Sequence, residues 1–313
     1  MLKNRMKNID KNDTGEETKQ FHMMDTKVWS RDPAVIYYEG YYHCFYTGVR
    51  ENDNNRRLTL ELIRSKNLID WSPAEILLDS SLGYSSPGNL LASDDGFILC
   101  FQSYPINKGE LYGNENCRLW YMRSKDLKHF DQPTIMSEEG CTAKWAKTSR
   151  QIDPFMIKHN QQYYVFYKTD GCIGVMCSSD LKKFNEIGLH KPVLSPNETP
   201  DGSTIENPCI VPMDGYFKMF FAPCRNGRGI GTAESEDLIH WHNIHYLNFP
   251  NLTWAPGGAT APMVLDDRER SGKWLMFFHG DTIGVHGGEL GLAYSDDLVM
   301  WTLSKDGSGL IIR

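Results

Sequence analysis

The chain has 313 residues, 40% of them hydrophobic and 23% charged, with a net charge of −7. That balance is globular, and the acidic surplus gives no electrostatic basis for a nucleic-acid partner. No window approaches the ~18 consecutive apolar residues of a spanning helix, so no membrane partner is expected.

Residues 1–26, MLKNRMKNIDKNDTGEETKQFHMMDT, are polar and lack the apolar core of a secretion signal. They read as an N-terminal extension that helps to close the fold, ahead of a single domain over 27–313. The expected compartment is the cytoplasm, or the outside for a chain trimmed of its signal peptide. Eight Cys, at 44, 100, 117, 141, 172, 177, 209 and 224, form no CxxC pair and no metal-ligand rhythm. They read as buried free thiols, and no motif calls for a cofactor or a metal.

The first ordered unit opens at Asp32-Pro33 with an apolar run, turns at Glu39-Gly40, and returns as YYHCFYTG. A third run, LTLELIRS, leads into SKNLIDW (65–71), and a weaker fourth run, AEILLDS, follows. The order then repeats. Units open at Ser86-Pro87, Asp153-Pro154, Glu206-Asn207-Pro208 and Thr260-Ala261-Pro262, and close on SKDLKHF (124–130), SSDLKKF (178–184), SEDLIHW (235–241) and SDDLVMW (295–301). The five Leu of these closing turns, at 68, 127, 181, 238 and 298, are spaced by 59, 54, 57 and 60 residues.

Such a period marks an array of similar supersecondary units. Ser-x-Asp is turn chemistry, since short polar side chains hydrogen-bond nearby backbone. The Leu and the closing Trp or Phe are expected to pack the turn against its own unit. Four short strands per unit, five units and no amphipathic helix predict an all-β fold. The prediction is a five-bladed β-propeller with four-stranded antiparallel blades around a central channel.

In a propeller the first strand of each blade lines the channel, so equivalent positions converge although they are far apart in sequence. The occupants are Asp32, Ser86, Asp153, Glu206 and Thr260. One Asp before Pro is an ordinary turn-capping residue. Three acids at one mouth repel each other, which drives their pKa values apart. Glycoside hydrolysis uses such a split, with one acid protonating the leaving oxygen and another carboxylate attacking or activating water.

This pattern, with Asp in the first and third blades and Glu in the fourth, resembles glycoside hydrolase family 43 and the related propeller glycosidases of families 32 and 68. The resemblance covers about residues 27–313. It implies Asp32 as general base, Glu206 as general acid and Asp153 as the group that tunes and orients Glu206, with inversion of configuration. Glu206-Asn207-Pro208 departs from the small residue usual between Glu and Pro. Thr260 stands where several members of the family place a His that holds a cation or water, so a channel-bound calcium has no motif here. Arg31-Asp32-Pro33 in the first blade also differs from the first motif of invertase-type enzymes.

Aligning the second strands on their Phe gives Thr47, Ser103, Lys168, Ala222 and His279 at the rim. Lys168 is expected to contact substrate or to pair with Asp153 or Asp170. His279 is a candidate to hydrogen-bond a sugar hydroxyl or to assist the acid, and Arg225 to reach a substrate hydroxyl or carboxylate. Trp29 and Trp254, with Tyr84 and Trp145, are candidate stacking platforms. GRGIG (227–231) precedes no helix and is not a phosphate loop.

The expected partner is an oligosaccharide; oligomeric state is not encoded in any motif. The leading expectation is an inverting, exo-acting hydrolase of plant or algal arabinosides, xylosides or galactosides. The alternatives are a retaining fructosidase-like hydrolase with Asp32 as nucleophile, and a non-catalytic carbohydrate-binding propeller.

Overall fold

The structure, a computed structural model, describes residues 28–52, 55–78, 84–105, 114–225, 229–281 and 288–304. The extension expected over 1–26 and the first two residues of the GRGIG stretch lie outside the described residues. Twenty strands form five four-stranded antiparallel sheets. Blade one is β1 (Val28–Tyr38), β2 (Tyr41–Asn52), β3 (Asn55–Ser65) and β4 (Glu75–Leu78). Blade two is β5 (Tyr84–Ser93), β6 (Gly96–Tyr104), β7 (Arg118–Ser124) and β8 (Thr134–Ile135). Blade three is β9 (Ile152–His159), β10 (Gln162–Thr169), β11 (Cys172–Ser178) and β12 (Asn185–Ile187). Blade four is β13 (Ile205–Pro212), β14 (Phe217–Pro223), β15 (Gly231–Ser235) and β16 (His242–Tyr246). Blade five is β17 (Gly258–Asp267), β18 (Lys273–Asp281), β19 (Gly288–Ser295) and β20 (Thr302–Leu303).

Each inner strand touches the next, from β1 to β5, β9, β13 and β17, and β17 touches β1. The fold is a five-bladed propeller. The second strands read as continuous apolar runs because neighbouring blades cover both of their faces, and all of β14 is buried. Two-residue turns join the inner hairpins of blades one and three, with both residues left-handed at Glu39 (φ 47) and Gly40 (φ 80), and again at Asn160 (φ 47) and Gln161 (φ 61). Both left-handed values match the twist of the flanking strands.

The closing turn is built alike in all five copies. The Ser hydroxyl accepts from the Leu amide at 2.9–3.0 Å, from Leu68 through Leu298. The Asp, or Asn67 in the first copy, accepts from two further amides. These bonds hold each Leu left-handed, at φ between 56 and 69. Burial of the Leu side chain offsets that strain.

The closing aromatic does not pack on its own unit as expected. Phe130 of blade two meets Phe45 of blade one edge-to-face, Trp241 meets Phe166, and Trp301 meets Phe220, at centroid distances of 5.9, 6.0 and 6.1 Å. These three turns thus plug into the preceding blade, because the wedge between blades is where a large ring finds apolar surface on both sides.

Among the described residues every blade is made from one continuous segment, so blades one and five are joined by non-covalent contacts alone. At this seam Tyr42 donates to Asp267 Oδ2 at 3.0 Å. Arg270, ion-paired with the buried Asp267, lies over the Tyr37 ring at 3.9 Å. The carboxylate and burial push the Tyr42 phenol far up.

Candidate active site

The inner strands carry a bulge where the chain crosses the channel mouth. Register breaks between Arg31 and Ala34, Ile152 and Phe155, Glu206 and Cys209, and Thr260 and Met263. Asp32 (φ 48), Asp153 (φ 53), Asn207 (φ 51) and Ala261 (φ 49) occupy the left-handed bulge position, each followed by Pro. Those prolines, with Pro87, line a narrow channel behind the bulges. Bulges are a usual device for re-aiming side chains.

The pairing corrects the equivalence read from the sequence. Glu206 and Thr260 stand one residue ahead of the bulge, paired with Ala222 and His279, as Arg31 is with Thr47. The residue equivalent to Asp32 and Asp153 is therefore Asn207 in blade four and Ala261 in blade five. Thr260 is fully buried and does not line the cavity at the mouth.

That cavity has a volume of about 310 Å³, and Asp32, Asp153 and Glu206 all line it. Ser86 donates to Asp32 Oδ2 at 2.9 Å, and the Thr47 hydroxyl lies 3.1 Å from the same oxygen and 2.5 Å from Ser86 Oγ. The Asp32 amide donates to His279 Nδ1 at 3.2 Å, which places the His279 proton on Nε2, facing Asp281 at 3.5 Å. Asp32 is thereby fixed through both backbone and carboxylate.

Across the cavity Lys168 Nζ sits 2.5 Å from Glu206 Oε2. Lys168 therefore pairs with Glu206, and not with Asp153 or Asp170. Burial by itself would lower Lys168, but Glu206 and Asp153 outweigh it and the net movement is upward. The Asp153 amide donates to Gln102 Oε1. Burial pushes the Asp153 carboxyl up to about 7; Lys168 opposes this, and Glu206 and Asp32 push it further. Among the three acids, Asp153 is the one whose carboxyl is pushed up.

The profile of the glycosyl hydrolases family 32 N-terminal domain matches residues 22–230. The chain belongs to this family. Among curated proteins, the sucrose-6-phosphate hydrolase of Pediococcus pentosaceus is 24% identical over 260 residues, 79% of this chain and 48% of that protein. The chain thus spans about half the length of that relative. A thermostable family-43 glycoside hydrolase shares the fold with a TM-score of 0.61 at 15% identity, over 88% of this chain and 93% of its own. The Bombyx mori family-32 β-fructofuranosidase superposes with a TM-score of 0.65 at 15% identity, over 92% of this chain and 65% of its own. The propeller-glycosidase resemblance read from the motifs therefore stands, and the family shown within that group is 32.

Several rim candidates fall elsewhere in this family-32 propeller. His279 is 1% exposed and lies behind Asp32, so it supports that residue rather than meeting a sugar. Arg225 lies over the Tyr246 ring at 4.2 Å and 3.2 Å from Asp201, outside the cavity lining. Trp254 stacks on Phe278 at 6.2 Å, also outside it. Trp145 donates to the Gly188 carbonyl. Trp29 packs behind the wall, against the cluster that includes the lining residues Leu58, Tyr104 and Ile152. Ser86 does line the cavity, but its hydroxyl hydrogen goes to Asp32.

The lining residues not anticipated include Arg31, Gln102, Asn207 and Arg150. Gln102 had a signal, being the polar exception at the position after the aligned Phe, where Tyr46, Tyr167, Phe221 and Phe278 stand. Arg150 lies in the irregular segment that leads into β9.

Proposed function

We propose that this chain hydrolyses a glycosidic bond in an oligosaccharide, acting on a fructofuranosyl unit with retention of configuration. The observation that carries this reading is the meeting of Asp32, Asp153 and Glu206, from three blades, in one cavity. Membership of family 32 and the names of the two family-32 relatives support the choice of sugar.

Asp32 attacks the anomeric carbon, the C–O bond breaks, and its electron pair leaves on the oxygen that takes the proton of Glu206. Water, deprotonated by Glu206, then cleaves the glycosyl–Asp32 ester and restores both acids. Asp153 faces the positive charge that develops on the ring. Below about 7 Asp153 holds a proton, and in this reading it is the source of the proton that Glu206 delivers to the leaving group. Lys168 holds Glu206 in place for both proton transfers.

A second reading is favoured by the Arg31-Asp32-Pro33 order in blade one and by the fold of the family-43 enzyme. In it Asp32 is the general base for an attacking water, Asp153 tunes Glu206, and the substrate is an arabinoside, xyloside or galactoside cleaved with inversion. A panel of fructosides and pentosides, with product anomers followed by proton NMR, separates the two. Retained fructose supports the first, and an inverted pentose replaces it with the second. Sugar binding without turnover in the parent protein means a binding propeller and removes both.

A further inference from the structure

The cavity holds a cation that neither reading uses. Three basic residues, Arg31, Arg150 and Lys168, line the same space as the three acids, although the chain as a whole carries −7. Lys168 is committed to Glu206 at 2.5 Å. Arg150 makes no hydrogen bond or ion pair among the described residues, and its Nε is buried without a partner.

The contrast with Arg118 makes this informative. Arg118, in β7, donates from Nε to the Glu138 carbonyl at 2.9 Å and from Nη1 to the carbonyls of Glu115, Cys117 and Ser149 at 2.7, 3.0 and 3.3 Å. Its Nη2 reaches Ser149 Oγ at 3.2 Å. Those bonds, with Cys141 N to Ser149 O at 2.9 Å and Gln151 N to Cys117 O at 3.2 Å, clamp the residues on both sides of Arg150. One guanidinium is consumed in fixing the segment. The next is presented by it, partly desolvated, with the Asp153 charge in the same cavity but no hydrogen-bond acceptor on its fork among the described residues.

A half-buried guanidinium without an acceptor is costly, and a planar fork of donors matches a carboxylate or a phosphate with two parallel bonds. A sugar hydroxyl would satisfy one donor and leave the rest of the fork unfilled. We propose that Arg150 is a specificity-determining residue that binds an anionic substituent of the substrate, a phosphate or a carboxylate carried on the oligosaccharide. This rests on the hydrolase reading above.

The test compares a neutral disaccharide, the same disaccharide phosphorylated, and a uronate-terminated disaccharide, with the parent, Arg150→Gln and Arg150→Lys. The expected result is that the parent prefers one anionic arm, which identifies the source. Arg150→Gln then loses about tenfold or more in kcat/KM on that arm, mainly through KM, and clearly more than it loses on the neutral arm. Arg150→Lys restores part of the loss, since it keeps charge without the fork. Equal losses on neutral and anionic arms, or no anionic preference in an active parent, overturn the assignment and leave the hydrolase standing. If no arm turns over, the hydrolase reading fails instead. Calorimetry with inorganic phosphate and glucuronate then decides the subsite alone, by binding that Arg150→Gln abolishes or by no binding at all.

Discussion

The propeller repeats two motifs five times, and their fates differ. The closing turn keeps its Ser, its Leu and its hydrogen bonds in every blade, with Asp changing only once, to Asn67. The strand opening keeps its Pro and little else: Asp32, Ser86, Asp153, Asn207 and Ala261 precede the five prolines. The turn sits where each blade meets its neighbour in the same way, so one solution serves all five. The openings meet around one centre, so five copies of one side chain would crowd identical charges together. Repetition in the backbone and divergence in the side chain are what a five-fold scaffold needs to hold an asymmetric reaction.

The strongest way to break this comparison is at the centre. Asp32→Asn and Glu206→Gln are each expected to lower kcat/KM by about 1,000-fold or more while leaving thermal unfolding nearly unchanged. A turn residue should do the reverse. Leu238→Ala removes a buried side chain from a left-handed position and is expected to cost about 3 kcal/mol in chemical denaturation, with kcat/KM intact in the folded fraction.

Asp153 separates the two roles within one residue. Its folded-state pKa is raised from 3.8 to about 7, so the folded protein binds this proton more tightly than the unfolded chain. Its contribution to stability is therefore full below about 4 and is lost as pH rises through about 7. Asp153→Asn should abolish turnover yet raise the melting temperature at pH 8, and not at pH 4. In the parent, kcat/KM should fall above about 7 as the Asp153 proton is lost.

The smallest expected effect concerns the one irregular turn. Asn67 donates from its amide to Asp70 at 2.9 Å, whereas His129 and His240 occupy the corresponding place beside Asp126 and Asp237. Asn67→Asp should cost only about 0.3–0.5 kcal/mol, and Asp70→His in the same chain should remove that cost.

The architecture was legible because it is written five times, and each copy corrects noise in the others. The acids were legible for the same reason, as departures at a repeated place. The off-by-one position of Glu206 was not, because the bulge that shifts it is a backbone event with Pro as its only trace. The partner of each closing aromatic also escaped, since a ring packed between blades reads the same whichever side it joins. Arg150 and the burial of His279 depend on loop paths and blade overlap, which no local pattern carries.

Among the described residues, four of the five blade junctions are bridged by the chain itself, but the junction between blades one and five is held by contacts such as Tyr42 to Asp267 and Asp32 to His279. The join made by contacts without chain continuity is thus the one on which Asp32 sits. Gentle heating should silence the enzyme before it melts the sheets, so that residual activity works as a gauge of ring opening at temperatures where circular dichroism still reports an intact fold. A covalent staple between blades one and five would bring the two transitions together.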